Sequence, residues 1–199
     1  MWNARYAKAG YLFGTEPARF MTTHAGYFTS GLTALAVADG EGRNSTFMAS
    51  KGVAVTAMDG SDVAVEKARA LAQAQGVTVD FNIGDIEKWD WAAEPYDLVL
   101  GTFIQFARPE ARKVQFAGMK EATKPGGYVL LHGYTPKQIE YGTGGPGAVE
   151  NLYTEDLLRA AFDDFEIVEL NSYEREIDEG PGHSGMSALI DLVARKPLG

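Results

Sequence analysis

The chain has 199 residues, a length that fits one α/β domain with a sizeable hydrophobic core. It contains no cysteine, which excludes a disulfide framework, a thiolate nucleophile and sulfur-ligated zinc. The formal net charge of −9 disfavours nucleic acid as a partner, because its phosphates are usually bound by clustered Lys and Arg. The sequence has neither a signal-peptide core nor a run of about 20 apolar residues, so we expect a cytoplasmic protein that does not enter a membrane.

Residues 1–30 carry scattered aromatic side chains ahead of the first strand. Gly14 and Pro17 are predicted to divide a short helix from a longer one. We interpret this segment as an N-terminal helical cap or lid. Residues 31–199 are predicted to form the Rossmann-like core, and the whole chain is predicted to be a single domain.

The most informative stretch is a predicted βαβ unit with glycines in its first turn. The first strand, residues 32–38, runs into a turn that contains Gly40 and Gly42 and opens a helix. The second strand, residues 53–58, ends on Asp59. Glycine allows a tight turn and a ligand lying against the main chain, and an acid about twenty residues later can accept both hydroxyls of a ribose. The unit therefore predicts a ligand that contains adenosine.

Strands and helices alternate through the rest of the chain, which implies a mostly parallel sheet with helices on both faces. Two long extended runs at the end predict a C-terminal antiparallel β-pair. The predicted elements are a helix from Ser61 to Gly76, strands over 77–83, 96–102 and 128–133, helices over 109–123 and 154–162, a turn at 124–127, a glycine-rich loop at 142–147, and extended runs over 165–173 and 187–195.

Eight short features follow one another in an order that resembles the class I S-adenosylmethionine-dependent methyltransferases, and among them the tellurite-resistance type is the most similar. They extend over nearly the whole chain. These features are WNARY at 2–6, YLFGTEP at 11–17, GEGRN at 40–44, Asp59, Gly84 with Asp85, KPGG at 124–127, GTGGP at 142–146, and the run at 179–185.

The resemblance implies a seven-stranded Rossmann-like sheet and S-adenosylmethionine as the cofactor. It implies that the loop at 38–44 holds the methionine part, Asp59 the ribose and Asp85 with Ile86 the adenine, while residues 102–105 form the floor beside the sulfonium. The full set of cofactor residues that it implies is Trp2, Arg5, Tyr11, Phe13, Gly14, Ala38, Asp39, Gly40, Glu41, Gly42, Arg43, Asn44, Asp59, Gly60, Ser61, Gly84, Asp85, Ile86, Thr102, Phe103 and Gln105.

Two positions depart from the family pattern. Ala38 stands where the family often has its first glycine, and Ala36 stands where it often has an acid. Ala38 is tolerated if its backbone angles are ordinary. In place of the missing acid, Asp39 or Glu41 could accept from the methionine ammonium.

The candidate catalytic residues are His132, His183 and Tyr134. If the acceptor is a protonated amine or a hydroxyl, His183 or His132 is the predicted base, since histidine titrates near neutrality. Methyl transfer in line needs little further acid–base chemistry, because orientation and the exclusion of water supply most of the rate. The residue spacing predicts no metal site.

We predict a small-molecule methyl acceptor and a monomer or homodimer. The resemblance suggests oxyanions of tellurium or selenium, or other small nucleophiles. A nicotinamide dehydrogenase is the first alternative, although the cap, the missing second domain and the terminal β-pair oppose it. A cofactor-binding sensor or scaffold that recruits a partner through its acidic residues is the second.

Overall fold

A computed structural model describes residues 2–199. Contacts divide the chain into two compact units, the first comprising the described residues up to Trp89 together with Glu179–Gly182, and the second Asp90–Asp178 with His183–Gly199. The strands are β1 (Thr33–Val37), β2 (Ala54–Asp59), β3 (Asp80–Ile83), β4 (Tyr96–Thr102), β5 (Thr123–Tyr134), β6 (Glu166–Asp178) and β7 (Ser184–Arg195). The α-helices are α1 (Trp2–Tyr6), α2 (Arg19–Thr23), α3 (Arg43–Ser50), α4 (Asp62–Gln75), α5 (Pro109–Glu121), α6 (Gln138–Tyr141) and α7 (Glu155–Ala161), with 3₁₀ turns at Ala25–Tyr27 and Val149–Asn151.

Over residues 2–199 the strands form a seven-stranded sheet in the order β3-β2-β1-β4-β5-β7-β6. The pairs β1–β2, β2–β3 and β4–β5 are parallel, whereas β7 runs antiparallel to both β5 and β6. This is the predicted fold, a mostly parallel sheet with a C-terminal antiparallel pair, and the prediction is confirmed.

In the first unit, α4 begins and ends as its sequence predicts. The Ser61 side chain accepts from the N–H of Ala64, and Gly76 ends the helix in a left-handed conformation. The prediction of a longer helix in the N-terminal segment is wrong. Instead α2 has five residues, and a separate 3₁₀ turn follows it.

In the second unit, β4 has the predicted bounds, but the predicted turn at 124–127 is wrong. These residues lie inside β5, and the register against β4 shifts between Tyr96 and Leu98. Gly126 has a φ of 78°, so the Pro-Gly-Gly run forms an irregularity within the strand rather than its start.

The terminal hairpin is longer than predicted, because β6 continues to Asp178 and pairs with Ser184 of β7. The charged residues from Glu174 onward have the composition typical of a loop. In the structure their side chains point in turn to the two faces of an exposed strand. Among residues 2–199 no helix has the length and apolar character needed to cross a membrane.

Candidate functional site

The loop between β1 and α3 contains three residues with left-handed backbone angles. The φ values of Ala38, Gly40 and Gly42 are 49°, 63° and 88°. A methyl group on Gly42 would lie 2.7 Å from the Cβ of Ala68 in α4. The glycine turn predicted from the sequence is therefore present, and Gly42 allows the loop to pack closely on α4.

Ala38 was predicted to be tolerated if its backbone angles were ordinary, and they are not. Its angles are those of a glycine, a conformation that costs an L residue about 1–2 kcal/mol. The turn thus imposes the geometry of the family's glycine on an alanine.

Asp59 is buried at the end of β2 and its carboxylate is fixed by main-chain donors. Oδ2 accepts from the N–H of Gly40 and Oδ1 from the N–H of Ser61, each at 2.8 Å. Burial raises the pKa of this carboxyl, while the two hydrogen bonds act in the opposite direction. The carboxylate retains lone pairs on both oxygens, so its geometry suits the paired hydroxyls of a ribose.

Asp39 lies beside Asp59 at the start of the same loop. It accepts hydrogen bonds from the hydroxyl and the N–H of Ser45 in α3. Burial, with a smaller contribution from Asp59, raises the pKa of Asp39 to about 7. Asp39 is one of the two acids predicted to accept from the methionine ammonium. The positive charge of that group would stabilise the ionised form of the Asp39 carboxyl.

Glu41, the other acid predicted to accept from the ammonium, contacts the N-terminal segment and α4. Its Oε2 accepts from the N–H of Leu12 at 2.7 Å, and its Oε1 pairs with Lys67 of α4 at 2.9 Å. Both oxygens thus hold the N-terminal segment, and acceptance from the methionine ammonium stays a prediction for Glu41.

The cap aromatics form a chain of ring contacts that reaches this loop. Trp2 stacks on Tyr6 with ring centroids 5.6 Å apart, and Tyr6 contacts Phe13 edge-on at 6.4 Å. A Cβ on Gly40 would lie 3.0 Å from the Tyr6 hydroxyl. The guanidinium of Arg5 lies over the Trp2 ring, so Arg5 contacts the first member of this series of aromatic rings.

Other predicted cofactor residues hold the N-terminal segment in place. The Lys67 ammonium lies 5.9 Å from the ring of Tyr11, and Asn44 Oδ1 accepts from the N–H of Ala18 at 3.0 Å. Gly14 has a φ of 71° and lies against the backbone of Gly180. The contacts of Tyr11 and Asn44 fix the N-terminal segment to α4 and α3, and cofactor binding stays a prediction for all three residues.

Arg43 forms a buried ion pair that the sequence did not indicate. Its Nη2 lies 2.9 Å from Oε2 of Glu179, whose Oε1 accepts from the N–H of Arg19. Nη1 of Arg43 is buried and has no hydrogen-bond partner within residues 2–199. The pair fixes the segment Glu179–Gly182 to the start of α3 within the first unit.

The predicted adenine residues lie after β3. The N–H of Gly84 donates to the carbonyl of Asp59 at 3.0 Å, and a Cβ on Gly84 would lie 2.8 Å from the Trp89 ring. Asp85 is half exposed and accepts from the N–H of Glu87 at 3.0 Å, so it also starts the following turn. Two more predicted residues lie in this part of the unit: Gly60 follows Asp59, and Ile86 is partly buried.

In the second unit, Phe103 is at the centre of an aromatic group. Its ring centroid lies 4.7 Å from His132, 4.8 Å from Tyr134 and 4.1 Å from His183. Its φ of 56° is rare for a bulky residue, and such conformations are concentrated at functional sites. The structure thus brings together all three predicted catalytic residues around one strained aromatic side chain.

His132 is oriented by a buried acid on the neighbouring strand. Its Nδ1 lies 2.5 Å from Oδ1 of Asp191, which also accepts from the Tyr173 hydroxyl at 3.2 Å. His132 pairs in register with Thr102, the last residue of β4. A proton on Nδ1 that is donated to Asp191 leaves Nε2 as the basic nitrogen.

Gln105 is hydrogen-bonded to the main chain of β5. Its Oε1 accepts from the N–H of Tyr134 at 2.6 Å and its Nε2 donates to the carbonyl of the same residue at 2.8 Å. The side chain therefore extends the hydrogen bonding of β5, and its place on the floor beside the sulfonium stays a prediction.

Sequence reasoning missed Asp191, Tyr173 and the pairing of Glu179. A signal for Asp191 existed, because it is a single acid within an otherwise apolar run from Ala188 to Ala194. Charged residues are rarely buried unless they are paired, so such an acid indicates a partner.

The chain was compared with known proteins. Residues 34–127 match the family model described as a methyltransferase domain. This part of the chain is similar to methyltransferase domains. No curated protein sequence matches the chain.

Solved structures extend the likeness of the methyltransferase domain to nearly the full chain. The N-methyltransferase NodS from Bradyrhizobium japonicum, in complex with S-adenosylhomocysteine, has a TM-score of 0.75 at 14% identity, covering 98% of this chain and 96% of NodS. TehB from Haemophilus influenzae has a TM-score of 0.70 at 22% identity, covering 87% of this chain and 60% of TehB. The [4+2]-cyclase SpnF has a TM-score of 0.71 at 20% identity, covering 91% of this chain and 81% of SpnF.

Together the solved structures confirm the predicted class I methyltransferase fold, and the family match agrees with the predicted activity and with S-adenosylmethionine as the predicted cofactor. The first unit fits that cofactor, because the Asp59 carboxylate is fixed at the end of β2 beside the glycine turn. Neither the dehydrogenase nor the scaffold hypothesis gains support from these comparisons.

Proposed function

We propose that the protein transfers the methyl group of S-adenosylmethionine to a small-molecule acceptor and releases S-adenosylhomocysteine. The observation that carries the proposal is the Asp59 carboxylate, held by two main-chain N–H groups next to Gly40 in a part of the chain that is similar to methyltransferase domains. A carboxylate fixed in this way is ready to accept both ribose hydroxyls without reorganisation.

When bound, S-adenosylmethionine supplies a methyl group that its sulfonium already activates. The chain's own contribution is then to hold and orient the two reactants and to exclude water. In well-oriented systems this lowers the activation barrier by roughly 7 to 11 kcal/mol. Asp59 would hold the ribose, Asp39 would accept from the ammonium of the methionine part, and the cap aromatics Trp2, Tyr6 and Phe13 would exclude water.

For an acceptor that must lose a proton, His132 is the proposed base. Asp191 fixes its orientation and tautomer, and Phe103 packs against its ring. His183 and Tyr134 contact Phe103 from other sides and would form the wall against which the acceptor lies.

Calorimetric titration with S-adenosylmethionine, S-adenosylhomocysteine and NAD tests the cofactor. We expect both adenosyl-sulfur ligands to bind and NAD not to bind. Asp59→Asn should weaken binding about 100-fold, since hydrogen bonds to a charged acceptor are lost. The control Asp163→Asn changes an exposed aspartate and should bind like the wild type. Binding of NAD alone would refute the proposal.

The acceptor is tested by measuring S-adenosylhomocysteine release with a panel of amines, phenols, thiols, tellurite and selenite. With an active acceptor that carries a proton, His132→Asn should lower kcat by about 10² to 10⁴-fold and leave cofactor binding unchanged. Asp191→Asn should lower kcat and displace its pH profile, whereas Asp163→Asn should do neither. Unchanged turnover in His132→Asn would remove that residue as the base.

A further inference from the structure

The buried face of α5 carries polar side chains that the proposed function does not use. Gln115 is 2% exposed, and neither Oε1 nor Nε2 has a hydrogen-bond partner within residues 2–199. Oδ1 of Asn151 and the hydroxyl of Tyr153, which precede α7 in the chain, are also buried without a hydrogen-bond partner within residues 2–199. Buried polar groups are nearly always hydrogen-bonded, so several that lack partners indicate a ligand or water that completes them.

Contacts within the second unit place the segment from Glu150 to Tyr153 against α5 on both sides of Gln115 in the sequence. Nη1 of Arg112, one turn before Gln115, donates to the carbonyl of Glu150 at 2.7 Å. The guanidinium carbon of Arg112 lies 6.0 Å from the ring centroid of Tyr153. The ring centroids of Phe116 and Tyr153 are 5.6 Å apart. The chain from Glu150 to Tyr153 therefore runs along the turn of α5 that contains Gln115.

The atoms without partners determine which ligand chemistry fits. Oε1 of Gln115 and Oδ1 of Asn151 only accept, Nε2 of Gln115 donates, and the Tyr153 hydroxyl can do either. A carboxylate or an inorganic oxyanion offers acceptors alone, so it would leave both carbonyl oxygens unsatisfied. A neutral carboxamide offers a donor and an acceptor side by side and satisfies both kinds of atom.

The polar cluster adjoins the aromatic group of the second unit. The N–H of Tyr153 donates to the carbonyl of Tyr134 at 3.0 Å, and the Tyr134 ring contacts Phe103. We propose that Gln115, Asn151 and Tyr153 bind the neutral polar end of a small molecule, a carboxamide or a group with the same donor–acceptor pattern. On the further condition that the proposed function holds, this molecule is the methyl acceptor.

The test is NMR titration of the full chain with acetamide and, as an anion of the same shape, acetate. We expect acetamide to shift the side-chain amide resonances of Gln115 and the backbone amide resonances of Asn151 and Tyr153 saturably in the millimolar range, as suits a ligand of four heavy atoms, and acetate to leave them unchanged. The backbone resonances are the ones compared between the wild type and the variants. Gln115→Met should abolish the acetamide response and raise Tm by about 2–4 °C, because an unsatisfied buried group is removed. The control Gln73→Met, on the exposed side of α4, should keep the response and the wild-type Tm.

Absence of an acetamide response in folded wild-type protein would overturn the inference, and so would an equal response in Gln115→Met. A lower Tm in Gln115→Met with no acetamide binding would assign the site to ordered water, which also overturns it. Titration of the same samples with S-adenosylmethionine separates the two proposals. Cofactor binding without acetamide binding refutes this site alone, whereas acetamide binding without cofactor binding supports the site and refutes the proposed function.

Discussion

Ala38 adopts a backbone conformation that its side chain disfavours, and replacing it tests whether the turn imposes that conformation. Ala38→Gly removes a cost of about 1–2 kcal/mol and adds about 0.4–1 kcal/mol of unfolded-state entropy. We therefore expect the free energy of unfolding to rise by up to about 1 kcal/mol in urea denaturation. Ala36→Gly, at a buried position of β1 with ordinary strand geometry, is the control and should lower it. Equal losses in both variants would contradict the strain at Ala38.

Asp39 makes stability depend on pH. Its pKa is raised from 3.8 to about 7, so the folded chain holds a proton that the unfolded chain releases. This contribution to stability is complete below about pH 4 and is lost as the pH rises to about 7. Asp39→Asn should remove this pH dependence. The difference in free energy of unfolding between the variant and the wild type should therefore be more favourable to the variant at pH 8 than at pH 4, by on the order of 2 kcal/mol after allowance for solvent screening.

The measurement for Asp39→Asn is urea denaturation at several pH values. Asp85→Asn, an exposed aspartate after β3, should run parallel to the wild type over this range. If the Asp39→Asn and wild-type curves were also parallel, the raised pKa of Asp39 would be wrong.

At the scale of elements, the packing of the β1–α3 loop on α4 depends on the absence of a side chain at Gly42. A Cβ there would lie 2.7 Å from Ala68 Cβ and 2.9 Å from its Cα, and a main-chain atom of a helix cannot easily move away. Gly76, at the end of α4, has a similarly positive φ and nothing within 4 Å of such a Cβ.

The two glycines form a matched pair. Gly76→Ala should lower the free energy of unfolding by about 1 kcal/mol, the cost of the backbone conformation alone. Gly42→Ala should lower it by a further 1–3 kcal/mol, because overpacking is added. Thermal and urea unfolding measure both, and equal losses would show that the loop yields without cost.

Elements whose signals are local were predictable from the sequence. Ser61 and Gly76 gave the ends of α4, and the apolar run from Tyr96 gave β4, because a cap or a buried strand is written in adjacent residues. The continuation of β6 beyond Tyr173 was not predictable, since its charged residues gain their strand geometry only by pairing with β7. Local composition cannot express that pairing.

The same distinction holds for the site across the whole molecule. Asp59 follows from a spacing along the chain, and the structure places it against Gly40 as the spacing requires. For Glu41 and Gln105 the sequence predicts contacts with ligands, and nothing in their sequence neighbourhood reveals Lys67 or the Tyr134 main chain as partners. Residues far apart in sequence determine which polar atoms remain for a ligand, and that information is tertiary.

Ligand binding should be visible in the stability of the whole molecule. A ligand that binds only the folded chain stabilises it by about 2.7 kcal/mol at 100 times its Kd, which raises Tm by roughly 5–10 °C for a chain of this size. We expect this rise in thermal unfolding with S-adenosylhomocysteine and none with NAD at the same concentration. Asp59→Asn should lose most of the rise, because its Kd is larger, while Asp163→Asn should retain it. A full rise in Asp59→Asn would mean that the ribose is held by other residues, since stabilisation at a fixed ligand concentration changes only with Kd.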